Sequence, residues 1–370
     1  MSTETEPQAA PDSERSLATL ERVVDVTPIP GADVIETVTV RGWKVVVRKA
    51  DRFRPGDLVV YFEIDSALPL DDARFAFLAP RGEKTYQGRR VHVLRTARLR
   101  GAVSQGLVLH AAAFDDDLVH TLVEAGEIAS TDPSPELAPF VGTDISAVIG
   151  VGRYEEPIPE EMAGRAVGAF PTRLLAKTSA ERVQNLHGRL PAVAAHPGGW
   201  IATEKVDGTS VTLINDGTLR TCSRTWELVW DETLPQVEVA RRDDLVPGPG
   251  EAIQAELYGP GIHANRLRTE RLALAVFAFL VRRGGVYEPL PRAEWPERIA
   301  RHGVPVLDLD LPGGVGEAVD QVEALRSAIN PLCRAEGVVW HAADARPVAA
   351  LDGARSFKAI SNSYLIKTGS

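Results

Sequence analysis

Thr203-Glu204-Lys205-Val206-Asp207-Gly208-Thr209-Ser210 is the stretch on which the reading of this chain turns. It leaves an apolar strand (Trp200, Ile201), turns through Asp-Gly and enters a second strand (Val211–Ile214). A lysine at a strand end beside a tight turn is held rigidly and partly desolvated. That lowers its pKa and makes the amine a nucleophile; taken alone, the segment is equally a β-turn carrying a solvated lysine. Arginine stays protonated and cannot replace such a lysine. The chain has seven lysines against 34 arginines, so every lysine is a position to question.

Outward from this segment, residues 166–370 alternate strands with a few helices. The expected strands are Trp200–Glu204, Val211–Asn215, Thr218–Cys222, Ile253–Leu257, Leu274–Val281 and Val338–Trp340, with helices near 179–187 and 314–329. There is no regular βαβ alternation, which predicts an α+β domain with antiparallel sheets. Upstream, Leu20–Val26, Val34–Val40, Trp43–Val47, Leu58–Phe62, Arg90–Leu94 and Gly106–Leu109 are short, Val-rich and separated by turn signals. Such strands within residues 16–112 predict a small Greek-key barrel of the OB type. Residues 113–165 crowd Asp, Glu and Pro together and read as an acidic, partly helical connector; residues 1–15 read as a disordered tail.

A series of short motifs follows Lys205 in order. Ser223-Arg224-Thr225 comes just after a strand, then Ala255-Glu256-Leu257-Tyr258-Gly259, Val276-Phe277-Ala278-Phe279 and Ala335-Glu336-Gly337-Val338-Val339. Ser356-Phe357-Lys358-Ala359-Ile360 and Lys367 close the chain. This order resembles the covalent nucleotidyltransferase superfamily of ATP-dependent ligases and capping enzymes. Over residues 16–370 the chain is similar to RNA ligases of the Deinococcus type, which place an OB-like domain before an adenylyltransferase domain. The resemblance implies that Lys205 attacks the α-phosphorus of ATP to form lysyl-AMP, with Mg²⁺ or Mn²⁺ required. It implies that Asp207 engages the 3′-OH end or a metal, that Gly208 lets the backbone approach the nucleotide, and that Arg224 grips phosphate. Glu256 would bind the ribose hydroxyls, Glu336 would lie near metal and phosphates, and Lys358 would contact the α-phosphate. Glu204 would accept from the adenine amino group or orient the lysine. Phe279 would stack on adenine, with Phe277, two residues away, the alternative. Two departures stand out: Leu280 follows Phe279 where the family usually has Asp, and Ile360 replaces a second lysine, a cation that Lys367 could supply.

Arg89, Arg90, Arg95, Arg98 and Arg100 lie within 12 residues, with no carboxylate between Gln87 and Ala113. A basic edge of this kind suits a phosphate backbone, so the barrel is expected to contact RNA. The net charge of −10 argues against coating nucleic acid by bulk charge alone. No apolar run long enough to span a membrane and no apolar leader is seen, and two cysteines exclude a disulfide scaffold, so a cytoplasmic location is expected. The eight histidines show no metal spacing, and neither a P-loop nor a Gly-x-Ser-x-Gly elbow occurs. The expected activity is ATP-dependent sealing of RNA ends. The alternatives are a DNA ligase or capping enzyme on the same machinery, or an inactive OB-containing RNA-binding protein.

Overall fold

The computed structural model describes residues 16–129, 136–154, 164–178 and 180–368; the tail expected over 1–15 lies outside them. The chain divides into two compact units, one drawn from 14–157 together with 362–370, the other from 158–361. Neither crossing falls where the sequence placed it, at 112–113 and 165–166.

In the first unit a five-stranded antiparallel sheet runs in the order Leu107–His110, Leu58–Phe62, Ala18–Pro28, Ile35–Val40, Trp43–Arg48. Period-2 alternation gives this sheet two apolar faces. Leu20, Val60 and Phe62 join one core with Phe75, Phe114 and Leu118, whereas Val59 and Tyr61 join another with Val38, Val40, Trp43 and Val45. A second sheet orders Gly152–Arg153, Ser66–Pro69, Arg89–Val93 and Lys84–Tyr86, and a hairpin pairs Ala97–Leu99 with Ala102–Ser104. The described part of the expected connector is not a linker. Asp115–Glu124 is a helix whose first turn holds Asp115, Asp116 and Asp117, where negative charge suits the helix dipole. Leu118, Ile145, Ile149 and Val151 complete the first core, and Gly152–Arg153 adds a strand to Ser66–Pro69.

The second unit holds two sheets. Seven antiparallel strands run in the order Ala166–Ala169, Trp226–Leu228, Leu219–Cys222, Thr209–Asn215, Glu251–Tyr258, Ala273–Arg283, Val286–Pro289. Four run Glu181–Arg182, Ser356–Ile360, Gly337–Ala342, Trp200–Lys205, with only the first pair parallel. Trp200–Lys205 pairs antiparallel with Gly337–Ala342 so that Lys205 opposes Gly337 and Thr203 opposes Val339. One face of this smaller sheet (Ala202, Val338, Trp340, Phe357, Ala359) packs on Val183, Leu186, Ala318 and Val322. Trp340 and Phe357 stack at 5.0 Å, 12° from parallel.

Two expected helices are corrected. Around 179–187, Glu181–Arg182 pairs as a strand with Phe357 and Lys358 and only Val183–Leu186 coils, as a 3₁₀ turn; sheet pairing overrides a short helical pattern. The later helix spans Val315–Glu323, and the chain then folds back through Ser327 N–H to Cys333 O at 3.1 Å. Helix Pro235–Arg242, with proline in its first turn, was not anticipated. Trp340→Ala is expected to destabilise the second unit by about 3–5 kcal/mol, the usual cost of emptying a fully buried aromatic site; denaturant unfolding followed by far-UV circular dichroism measures it.

Candidate active site

A cavity of about 600 Å³ opens in the second unit and takes its walls from both sheets. Residues opposite one another in an antiparallel pair share a face. Ile201, Thr203 and Lys205, with their partners His341 and Val339 and the next-strand residues Ser356 and Lys358, therefore point away from the Trp340 core and line the cavity. On the larger sheet Ser210 opposes Glu256, and Glu256 and Gln254 share its cavity face. Gln254 donates from Nε2 to Ala176 O at 3.0 Å, which draws the segment carrying Lys177 and Thr178 over the site.

Lys205 Nζ lies 2.8 Å from Glu336 Oε1. Burial pulls this ammonium down, but the Glu336 and Glu256 carboxylates, with Asp207, push it above its ordinary value. The expected low lysine pKa is thus reversed, because three carboxylates outweigh desolvation. Burial pushes Glu256 up to about 7, with the nearby charges partly cancelling: Lys205 and Arg224 lower it, Glu336 and Asp207 raise it. Asp207 is held by Arg266 Nη1 at 2.9 Å and His263 Nδ1 at 3.2 Å, two residues the sequence did not single out. Gly208 has no room for a side chain: a Cβ would overlap the Leu257 carbonyl and press on the Glu256 side chain. Its close approach is therefore to the neighbouring strand. Arg224 is exposed and lines the cavity.

Three expected residues are placed differently. Glu204 sits on the opposite face of the strand from Lys205, 2 % exposed, accepting from Ala328 N–H at 2.7 Å. Strand alternation alone turns it toward the folded-back segment instead of toward the lysine. Phe279 is also 2 % exposed and packs with Val211, Leu213 and Ile253, whereas Phe277 lines the cavity. The two phenylalanines do not share a face, because a bulge interrupts the register: Gln254 opposes Ala278 and Ala255 opposes Val276, leaving Phe277 over. Lys367, exposed on helix Asn362–Thr368, groups with the first unit and does not line the cavity. Thr203, His341 and Arg292 line it without having been picked out; the alternation running Val339 to His341 was the available signal.

Residues 17–111 match an OB-fold domain family and residues 198–360 match the RNA ligase family. The whole chain is similar to the RNA ligase of Naegleria gruberi, at 32% identity over 95% of this chain and 98% of that one, TM-score 0.74, in a structure of a mutant with AMP and Mn. A structure of the same ligase with pyrophosphate gives a TM-score of 0.73 at the same identity and coverage, as does, over 94% of this chain, a mutant with ATP and Mn. The chain belongs to the RNA ligase family. No curated protein matches this ligase.

For a divalent cation the donor set fits the ligase chemistry. Glu336, Glu256 and Asp207 are the carboxylates around Lys205, and no group of three or more potential ligands close enough to hold one ion forms among the described residues. One or two carboxylates, with phosphate oxygens and water completing the shell, is how Mg²⁺ is commonly held beside a nucleotide.

In the ligase's barrel unit the expected basic edge is largely paired. Arg89 meets Asp71 at 2.9 Å, Arg90 meets Glu83 at 2.6 Å and Arg95 meets Asp65 at 2.7 Å. Asp71 and Asp65 are distant in sequence and Glu83 immediately precedes the neighbouring strand Lys84–Tyr86, which the local count could not see. Arg98 and Arg100, on the exposed 97–102 hairpin, form no ion pair among the described residues. Gly208→Ala is expected to strain the backbone against Leu257 and displace Glu256, lowering the melting temperature and slowing enzyme–nucleotide formation about 10²-fold; thermal unfolding and single-turnover labelling read the two effects separately.

Proposed function

We propose that this chain is an ATP-dependent RNA ligase of the Deinococcus type that joins a 3′-OH to a 5′-phosphate, sealing nicks in a cytoplasmic RNA duplex. The observation that carries the reading is the Lys205–Glu336 pair set in a cavity flanked by Glu256, Arg224 and Lys358, in a chain of RNA ligase family. The OB-fold match preceding the ligase match supports the domain order of that type.

In the first step Lys205 Nζ, having lost a proton, attacks the α-phosphorus of ATP. The N–P bond forms, the α–β anhydride breaks and pyrophosphate leaves. Lys358 and Arg224 neutralise charge on the phosphoryl oxygens, and Glu256 holds the ribose hydroxyls. Phe277, facing the cavity, takes the stacking role first assigned to Phe279. Glu336, with Glu256 nearby, would hold the divalent cation, which screens polyphosphate charge when bound. A 5′-phosphate oxygen then attacks lysyl-AMP and releases Lys205, giving a 5′-5′ pyrophosphate-linked end. Finally the 3′-OH attacks that end and expels AMP. Asp207, steadied by Arg266 and His263, would engage the 3′-OH strand. Glu204 borders the cavity while its carboxylate accepts from Ala328 N–H, and Lys367 lies in the other unit.

The chemistry is tested with ATP labelled on its α-phosphate and Mg²⁺ or Mn²⁺. Wild-type protein is expected to carry label on a denaturing gel, pyrophosphate to remove it, and Lys205→Ala to carry none. Absence of label with both ATP and GTP would favour the RNA-binding alternative, and sealing of a DNA 3′-OH as readily as an RNA 3′-OH would favour a DNA ligase.

RNA contact by the barrel is placed on Arg98 and Arg100. Arg98→Ala with Arg100→Ala is expected to weaken RNA binding and to reduce the slope of log affinity against log salt by about 1 per lost phosphate contact. Fluorescence anisotropy at several salt concentrations measures this, with ATP labelling of Lys205 unchanged as the control.

A further inference from the structure

The part of the cavity beyond Thr203 is not explained by phosphate chemistry. His341, Arg292, Trp295 and Leu290 line the cavity there, with Val339 opposite Thr203 on the paired strand. Thr203 is two residues from Lys205 on the same strand face, about 7 Å along the strand, and His341 Nε2 lies 3.1 Å from Thr203 Oγ1.

One arrangement of the hydrogen bonds around Thr203 puts the His341 proton on Nε2. In that arrangement the single hydroxyl hydrogen of Thr203 is donated to Val339 O, 3.1 Å away. Its oxygen is then an acceptor for His341, so Nε2 bears the hydrogen. Burial pushes the imidazole down to about 4, with the Arg292 guanidinium adding to the effect, so the ring is neutral at neutral pH. Nδ1 is left with a lone pair. It accepts no hydrogen bond among the described residues, and the half-buried ring lines the cavity. Arg292, the other polar group there, donates from Nη2 to Val304 O at 2.8 Å and lies 5.3 Å from the Trp295 ring centroid.

We propose that His341 is the residue by which this enzyme selects adenine, its Nδ1 lone pair accepting a hydrogen bond from the exocyclic 6-amino group of the base. Adenine presents a donor at that position and guanine presents an acceptor. A guanine oxygen facing Nδ1 would set two lone pairs against each other in a water-poor site, and the mismatch rejects GTP. The Thr203 hydroxyl acts as a positioning group, since its bond to Val339 O fixes the tautomer that makes Nδ1 an acceptor. This assignment rests on the ligase reading of the cavity and adds to it the group that reads the base.

The test compares ATP, GTP and purine riboside triphosphate, which lacks the 6-amino group, in wild-type and His341→Leu protein. Equilibrium binding and lysyl-nucleotide formation, followed by intact mass, are both read. Wild type is expected to prefer ATP over purine riboside triphosphate by about tenfold, the scale of one well-made hydrogen bond. In His341→Leu the preference falls to near unity through loss of ATP binding, with purine riboside triphosphate little affected. His341→Asn, which keeps an acceptor, is expected to retain part of it. A purely structural role would weaken both nucleotides in parallel, and that result overturns the assignment. So does a wild type indifferent to the amino group, or one preferring GTP, which would hand base reading to Arg292. If ATP preference in binding depends on His341 while no lysyl-nucleotide forms, the assignment stands and the ligase reading falls.

Discussion

The register that sets Lys205 opposite Gly337 is the constraint on which the site depends. It brings Glu336, the residue before Gly337, to within 2.8 Å of the lysine ammonium. Gly337 itself has no space for a side chain, because a Cβ would overlap the Ala359 carbonyl on the next strand. A one-residue slip would turn the lysine into the Trp340 core and bring Glu204 out in its place. The ion pair is partly buried, so it owes little to salt-bridge energy as such. What it does is hold the Lys205 ammonium in place against an acidic wall.

Both sheets of the second unit divide their labour by face. On the smaller sheet Trp340 and Phe357 build the core while Thr203, Lys205, His341 and Lys358 face the cavity. The larger sheet follows the same rule until the bulge at Phe277, which breaks the alternation and delivers an aromatic ring to the cavity side while Phe279 stays in the core. Bulges commonly re-aim a side chain beside a site in this way. Adjacent residues of one motif therefore carry unlike duties, as Glu204 does when it braces Ala328 behind the nucleophile's strand.

Much of this was legible in the sequence. The Lys205 turn, the barrel strands and the order Arg224, Glu256, Glu336, Lys358 are local features, and each of those four lines the cavity or meets the lysine in it. The misplacements came from longer range. A bulge cannot be counted from Val-Phe-Ala-Phe, and the carboxylates that pair Arg89 and Arg95 come from residues 71 and 65. The sign of the Lys205 shift depended on three carboxylates brought together from different strands and turns. Lys367 was assigned to the site by its nearness to Lys358 in sequence, yet its helix belongs to the other unit.

The pairing of Trp200–Lys205 with Gly337–Ala342 also has a meaning in time. The partners are separated by well over a hundred residues, and the Ser356–Ile360 strand that completes this sheet comes later still. Contacts of such sequence separation close slowly, since a long loop must be ordered before any bond rewards it. On the ribosome the lysine's strand emerges early and waits, its edge unpaired, while the larger sheet is made. Lys205 acquires Glu336 as a neighbour only after well over a hundred further residues are made, so a product truncated before Glu336 has the lysine without that carboxylate.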